Sequence, residues 1–368
     1  MKNTWGRKKF NISVIIIIVA ILCIACTGAA PTGVGVTVVE VQNGNTTTVE
    51  EKASQQVDDV SPLTDMPSSS VSVSDAENDS ASEDMVVEPE PEVVEEIVYR
   101  DNTPAVLVPT SPGTVVYGNE YVAIDASNVS EGYITVDYLG TNGKVKFQMT
   151  GPDGVTYTYD LTNGIDVFPV TAGSGSYTLG CFENVGGNEY AIAYTDAVNL
   201  TVTNEFGPYL YPNQYVNFNS STRTVAKGAE LAAKCTCDLD VVYEVYEYTI
   251  NNVTYDYDLA ETVSSGYIPN VDSVLDKSSG ICFDYAVLMA TMLRSQGIPT
   301  RLDVGYAGMA YHAWIDVYIE DVGWIDGFIE FKGKTWTLMD PTFAANSDKN
   351  AFEEFVGDGN NYKALYVY

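Results

Sequence analysis

Histidine is almost absent from this 368-residue chain, which holds a single one, His312. Cations are scarce as well: 18 Lys and Arg face 50 Asp and Glu, for a formal net charge of −32. Phosphate binding needs clustered Lys and Arg, so this balance argues against nucleic acid as a partner and disfavours anionic surfaces. Six cysteines are present, and the one Cys-x-Cys pair, Cys235-Thr236-Cys237, lacks the usual zinc spacing and a second pair to complete a site. No metal and no other cofactor is expected; a local disulfide is the alternative use of that pair outside a cell. The one long apolar run, Ile12 to Cys26, falls short of the ~20 residues that a membrane span prefers.

That run follows Lys2, Arg7, Lys8 and Lys9 and ends in small residues, which describes an export signal. Its end, Leu22-Cys23-Ile24-Ala25-Cys26-Thr27-Gly28, resembles a bacterial lipoprotein signal, in which a small residue precedes the cysteine that is lipidated. Cys26, after Ala25, is the expected lipidation site, and residues 1–26 form the signal and anchor. An uncleaved signal anchor is the alternative. Either way the body of the protein is expected at the extracellular face of a bacterial membrane.

Residues 27–103 have no aromatic side chain before Tyr99 and only two cations, Lys52 and Arg100. Such an acidic stretch buries too little apolar surface to offset chain entropy, so it reads as a disordered tether. Residues 104–204 differ. Short alternating runs such as Tyr133-Ile134-Thr135-Val136-Asp137-Tyr138 and Lys144-Val145-Lys146-Phe147-Gln148-Met149 are broken by Thr141-Asn142-Gly143 and Pro152-Asp153-Gly154. Period-two alternation with these turn signals predicts an immunoglobulin-like β-sandwich. Cys181 falls mid-pattern and reads as a buried structural thiol.

From residue 205 to 368 the pattern predicts an α+β domain, with helices over 225–234, 239–250 and 282–296, then strands near 301–306, 312–319 and 334–340. The chemistry concentrates here. Tyr285, Leu288, Met289, Met292 and Leu293 recur at helical spacing, with Ser279 placed to cap the helix and Gly297 to end it. Cys282 therefore sits in the first turn, where the helix dipole favours a thiolate and unpaired N–H groups can receive a developing oxyanion. A thiolate nucleophile needs a base that later returns the proton, and only His312 can be a histidine base. Alternation puts His312, Trp314, Asp316 and Tyr318 on one strand face and the apolar Ala313, Ile315, Val317 and Ile319 on the other, so His312 is expected to face a cleft. Asp340, before the strand-ending Pro341, is the candidate to orient the imidazole, if its strand pairs with that of His312. Asp303 and Asp316 are the weaker rivals.

These residues resemble the transglutaminase-like superfamily. The resemblance rests on Gly280-Ile281-Cys282-Phe283-Asp284-Tyr285-Ala286, on Leu293-Arg294-Ser295-Gln296-Gly297-Ile298-Pro299, on Tyr311-His312-Ala313-Trp314 and on Asp340-Pro341-Thr342. It spans roughly Tyr209 to the end of the sequence. It implies a papain-like α+β core, with Cys282 as nucleophile, His312 as general acid and base and Asp340 as orienter. The family draws a second oxyanion donor from an upstream polar or aromatic side chain, and Gln214 and Tyr255 are the candidates. Where many members cross from the His strand to the Asp strand in a short turn, this chain inserts residues 321–333. The implied activity is thiol-dependent acyl transfer on peptide or side-chain amides. Hydrolysis is favoured over protein crosslinking, and a noncatalytic surface adhesin is the rival of another class. The expected partners are a peptide or protein substrate, the membrane through the N-terminal anchor and the cell wall.

Overall fold

The sandwich motif announced by period-two alternation and the helical domain announced by period 3.6 both form. The computed structural model describes residues 39–42, 45–48, 97–325, 329–332, 335–338, 342 and 362–368. The chain divides into two units, Met1–Pro89 and Glu90–Tyr368. In the first, β1 (Val39–Gln42) and β2 (Asn45–Thr48) pair as an antiparallel hairpin. Cys26 and the signal lie outside the described residues. Among the described residues no helix is long and apolar enough to cross a membrane.

The second unit begins with a strap and a sandwich. The strands of the sandwich are β3 (Val116–Gly118), β4 (Val122–Asp125), β5 (Tyr133–Tyr138), β6 (Val145–Thr150), β7 (Thr156–Asp160), β8 (Ile165–Pro169), β9 (Gly175–Gly186) and β10 (Glu189–Leu200). They make two four-stranded antiparallel sheets, ordered β3-β4-β5-β8 and β10-β9-β6-β7. Ile124, Val136, Phe147, Met149, Phe168 and Leu179 are buried in its core, as alternate residues of half-buried strands should be. Cys181 is buried among them, and desolvation pushes its thiol up to about 12, which suits an inert structural role.

The α+β part follows. Its helices are α1 (Arg223–Ala232), α2 (Asp238–Asn252), α3 (Tyr257–Thr262), α4 (Val271–Lys277) and α5 (Cys282–Arg294). Between α2 and α3 runs β11 (Thr254–Tyr255), and between α4 and α5 runs β12 (Ser279–Gly280). After α5 come β13 (Thr300–Ala307), β14 (Ala310–Ile319), β15 (Gly323–Ile325), β16 (Ile329–Lys332), β17 (Thr335–Leu338) and β18 (Tyr362–Val367). One antiparallel sheet has the order β15-β14-β13-β18. The α3 and α4 helices carry too few apolar residues to announce themselves, and β18 pairs with a strand more than fifty residues before it.

Every residue of α5 from Asp284 to Arg294 is buried, so this helix is the axis of the domain rather than an amphipathic face. It packs on α1, α2, α4, β13 and β14. At its end the wholly buried Arg294 guanidinium donates to the carbonyls of Thr300 (2.9 Å), Tyr211 (3.1 Å) and Tyr368 (2.8 Å). Three main-chain oxygens hold this cation, and burial pulls its pKa down to about 9.

The last residues of the expected tether belong to this helical part. Arg100 donates its N–H to the Cys235 carbonyl, pairs with Asp238 at 2.9 Å and reaches Gln296, and Ala105 donates to the Ser295 carbonyl at 2.7 Å. The chain thus touches the α+β part before it forms the sandwich. A tyrosine layer joins the two: Tyr157 and Tyr159 of β7 meet Tyr366 and Tyr368 at ring distances of 5.5 to 6.0 Å, and Tyr215 bridges Tyr368 (4.8 Å) to Phe283 (5.5 Å). Cys235 and Cys237 are both free thiols, one buried and one exposed.

Candidate active site

Cys282 is the first residue of α5, with Ile281 as N-cap and a half-buried side chain. Ser279 does not cap this helix; it lies in β12. The cap is supplied from within: the Asp284 carboxylate accepts the Ile281 N–H at 2.9 Å, satisfying one of the donors that a helix start leaves unpaired. Asp284 is 1% exposed, and its other oxygen accepts the Tyr267 hydroxyl at 2.7 Å. Burial raises the Asp284 carboxyl above its ordinary value, against the pull of these two hydrogen bonds. The acid three residues after the N-cap could have been read from the sequence as half of a capping box; Tyr267 gives no such signal.

The turn before Cys282 is also pinned from outside. Thr254 and Tyr255 pair in parallel with Ser279 and Gly280, and Asp256 donates its N–H to the Gly280 carbonyl at 2.9 Å. Gly280 can carry no side chain, because a β-carbon there would lie 2.5 Å from that of Asp284. This bridge brings Tyr255 to the nucleophile candidate: burial first, and the Cys282 sulfur next, push the Tyr255 phenol up, so the hydroxyl stays protonated. Tyr255 also packs edge-on against Tyr257 at 5.0 Å. Gln214, the other oxyanion candidate, is used differently. Its amide nitrogen donates to the Asp160 carbonyl (2.8 Å) and to Asp166 Oδ1 (3.2 Å), so both protons are committed to the sandwich.

His312 lies near the start of β14, directly opposite Gly305 of β13. A β-carbon at Gly305 would meet the Lys363 carbonyl oxygen at 2.0 Å, so the close approach of β18 requires glycine there. The expected alternation holds as a pleat, with Ala313, Ile315 and Val317 in the apolar core. The His312 face, however, is covered rather than open: His312, Trp314 and Asp316 are all buried. The His312 ring stacks on Trp314 at 6.2 Å and meets Tyr362 edge-on at 6.3 Å. Its neighbour Tyr311 is within electrostatic reach of Cys282, which adds to burial and nearby tyrosines in raising that phenol. Asp303, opposite Trp314, is buried on the same sheet face as His312.

Asp340 lies outside the described residues, as does Pro341. The strand that leads toward it, β17, pairs with β16, and β14 pairs with β13 and β15. Among the described residues, then, the expected pairing of the two strands does not form, because the inserted segment supplies β15 and β16 as nearer partners.

The thiol at the start of a buried helix and the sheet carrying the sole histidine belong to one α+β part of the chain. Residues 225–327 match the model of the Transglutaminase-like superfamily. The match runs from within α1 to just past β15, and it includes Cys282 and His312. Among curated proteins nothing matches the chain. Solved structures with partial likeness include a proposed cysteine protease from Cytophaga hutchinsonii, 15% identical, with 57% of this chain and 74% of that one covered and a TM-score of 0.30. A proposed protease from Parabacteroides distasonis is 16% identical over 48% of this chain and 36% of its own, with a TM-score of 0.24. The periplasmic domain of TgpA from Pseudomonas aeruginosa, bound to ethylmercury, is 14% identical over 62% and 98%, with a TM-score of 0.28.

Proposed function

We propose that the protein performs thiol-dependent acyl transfer on peptide or side-chain amides, with Cys282 as nucleophile, His312 as general acid and base and Asp340 as the residue that orients the imidazole. The observation that carries the reading is the mounting of Cys282: first residue of α5, on a turn fixed by Asp284 from one side and by β11 from the other. A sulfur there stands beside the first-turn N–H groups, which have no intrahelical partner and can receive a developing oxyanion.

In this reaction the Cys282 sulfur attacks the amide carbonyl and a C–S bond forms. The carbonyl electron pair moves onto oxygen, where the free N–H groups of the first helical turn and the Tyr255 hydroxyl receive it. As the intermediate collapses the C–N bond breaks, and His312 delivers to the departing amine the proton taken from the thiol. The thioester is then resolved by water, giving a carboxylic acid, or by a second amine, giving a new amide. Water is the favoured acceptor. The basic start, apolar run and Cys26 support a lipid-anchored position outside the cell, where wall peptides and surface proteins are within reach.

The test is mass spectrometry of peptide mixtures incubated with the whole protein. A mass added at Cys282 through a thioester, with acid products, is expected; new amide crosslinks would assign the amine route instead. Cys282→Ala should abolish turnover, and His312→Ala should lower it by about 10²–10⁴-fold. Undiminished turnover in Cys282→Ala would sink the reading. Cys26→Ala is expected to release or misprocess the protein in cells.

A further inference from the structure

The chain leaves the Cys282 turn at Asp256, whose N–H donates to the Gly280 carbonyl at 2.9 Å, and returns to it at β12, which pairs with β11. Between these points lie α3, a connecting loop and α4. Both helices are capped by side chains: Asp256 accepts the Leu259 N–H at 2.8 Å, and Asn270 accepts the Ser273 N–H at 2.9 Å. From the loop between them, residues 263–270, Tyr267 reaches back to the start of α5 and donates its hydroxyl to Asp284 Oδ1 at 2.7 Å. The loop rests against the sandwich. Gly266 has a φ of +84°, a left-handed conformation that favours glycine, and a β-carbon there would lie 2.8 Å from Asp160 Oδ2 at the end of β7. Lys146 holds that aspartate at 2.6 Å.

Asp284 gives one oxygen to Tyr267 and the other to the Ile281 N–H, and among the described residues no third donor reaches it. Asp256 and Lys277 act on it only at a distance. A carboxyl group turns easily about its last torsion, whose wells are broad. The Tyr267 bond on Oδ1 therefore fixes the rotation that keeps Oδ2 on Ile281. A buried carboxylate that lost this donor could not replace it with bulk water. Burial first, and the bond to Asp284 next, push the Tyr267 phenol up, so its proton stays in place to be donated.

We propose that Tyr267 is a positioning residue of the candidate site: by fixing the rotation of the Asp284 carboxylate it holds Ile281, and with it the first-turn N–H groups of α5 that receive the oxyanion. This role rests on the reading of Cys282 as the nucleophile, while the alignment of the turn itself can be measured without turnover. It also gives the sandwich a part in the site, because the loop that carries Tyr267 rests against Asp160.

Two measurements on the full chain test it: amide hydrogen exchange resolved to single residues by mass spectrometry, and hydrolysis of p-nitrophenyl acetate. Tyr267→Phe keeps the ring and removes the hydroxyl. Exchange at Ile281 is expected to be about tenfold faster, the scale of one lost hydrogen bond, with kcat lowered about tenfold and KM unchanged. Gly266→Ala, which displaces the loop but keeps the hydroxyl, should move both readings in the same direction and guards against a folding defect in the first variant. A purely structural tyrosine would lower Tm and leave the Ile281 amide and the balance of kcat and KM as they were. Unchanged exchange at Ile281 in Tyr267→Phe overturns the proposal, whatever the rate does. Faster exchange with an unchanged kcat overturns it too, because the turn then moves without consequence. Undiminished hydrolysis in Cys282→Ala would instead count against Cys282 as nucleophile, and exchange at Ile281 would still decide whether Tyr267 holds the turn.

Discussion

Gly280 and Asp284 are in contact so close that neither tolerates growth of the other: a β-carbon on the glycine would stand 2.5 Å from the β-carbon of the aspartate. One residue is the pivot of the turn before Cys282, the other its internal cap. The position of the thiol is therefore set by a contact with no slack.

Gly280→Ala should displace the start of α5. Overpacking of this kind costs about 1–3 kcal/mol, and a shift near 1 Å at a reacting group costs about a hundredfold in rate. Thermal unfolding and kcat/KM read the two effects separately. Full activity in this variant would show that the turn has more room than the contact allows.

Asp284 should make stability fall with pH in the mildly acidic range. Its folded carboxyl is raised above the unfolded value of 3.8, so the folded state holds the proton longer. Its stabilising contribution is complete below the unfolded pKa and is lost as pH rises through the folded one. Asp284→Asn removes this titration while keeping an acceptor for Ile281, and should flatten the profile of Tm against pH in that window. An unchanged profile would assign the dependence to other groups.

Tyr255→Phe removes one hydroxyl within electrostatic reach of Cys282. As an oxyanion donor it should be worth about 10²–10³ in kcat, with KM and Tm nearly unchanged. A loss confined to KM would make Tyr255 a packing residue.

Arg294→Met strips three main-chain oxygens, of Thr300, Tyr211 and Tyr368, of their donor at once. A loss of about 3–5 kcal/mol is expected from denaturant unfolding, and Arg294→Lys should recover only part of it, because an ammonium cannot reach three acceptors as the planar fork does. Full stability in Arg294→Met would mean that those carbonyls find other donors.

Tyr159→Phe should act in the opposite direction. The Tyr159 hydroxyl is buried without a hydrogen-bond partner, and its removal leaves the ring packing in the tyrosine layer intact. A gain of up to about 1–2 kcal/mol is expected, and a loss would reveal a hidden acceptor.

The sequence by itself determined most of the local elements and singled out the candidate residues of the site. Period-two runs marked the sandwich, period 3.6 marked α1, α2 and α5, and the single histidine left no choice of imidazole, because these signals depend only on neighbouring residues and counts. Tertiary structure decided the rest. It buried α5 on all sides, covered the His312 face with Trp314 and Tyr362, and gave Gln214 to the sandwich while the Thr254–Gly280 bridge brought Tyr255 to Cys282. It also replaced the simple pairing of β14 and β17 with partners from the insertion and drew in β18. Such pairings join residues tens of positions apart, and loop-closure entropy and competing edges, rather than any local pattern, select among them.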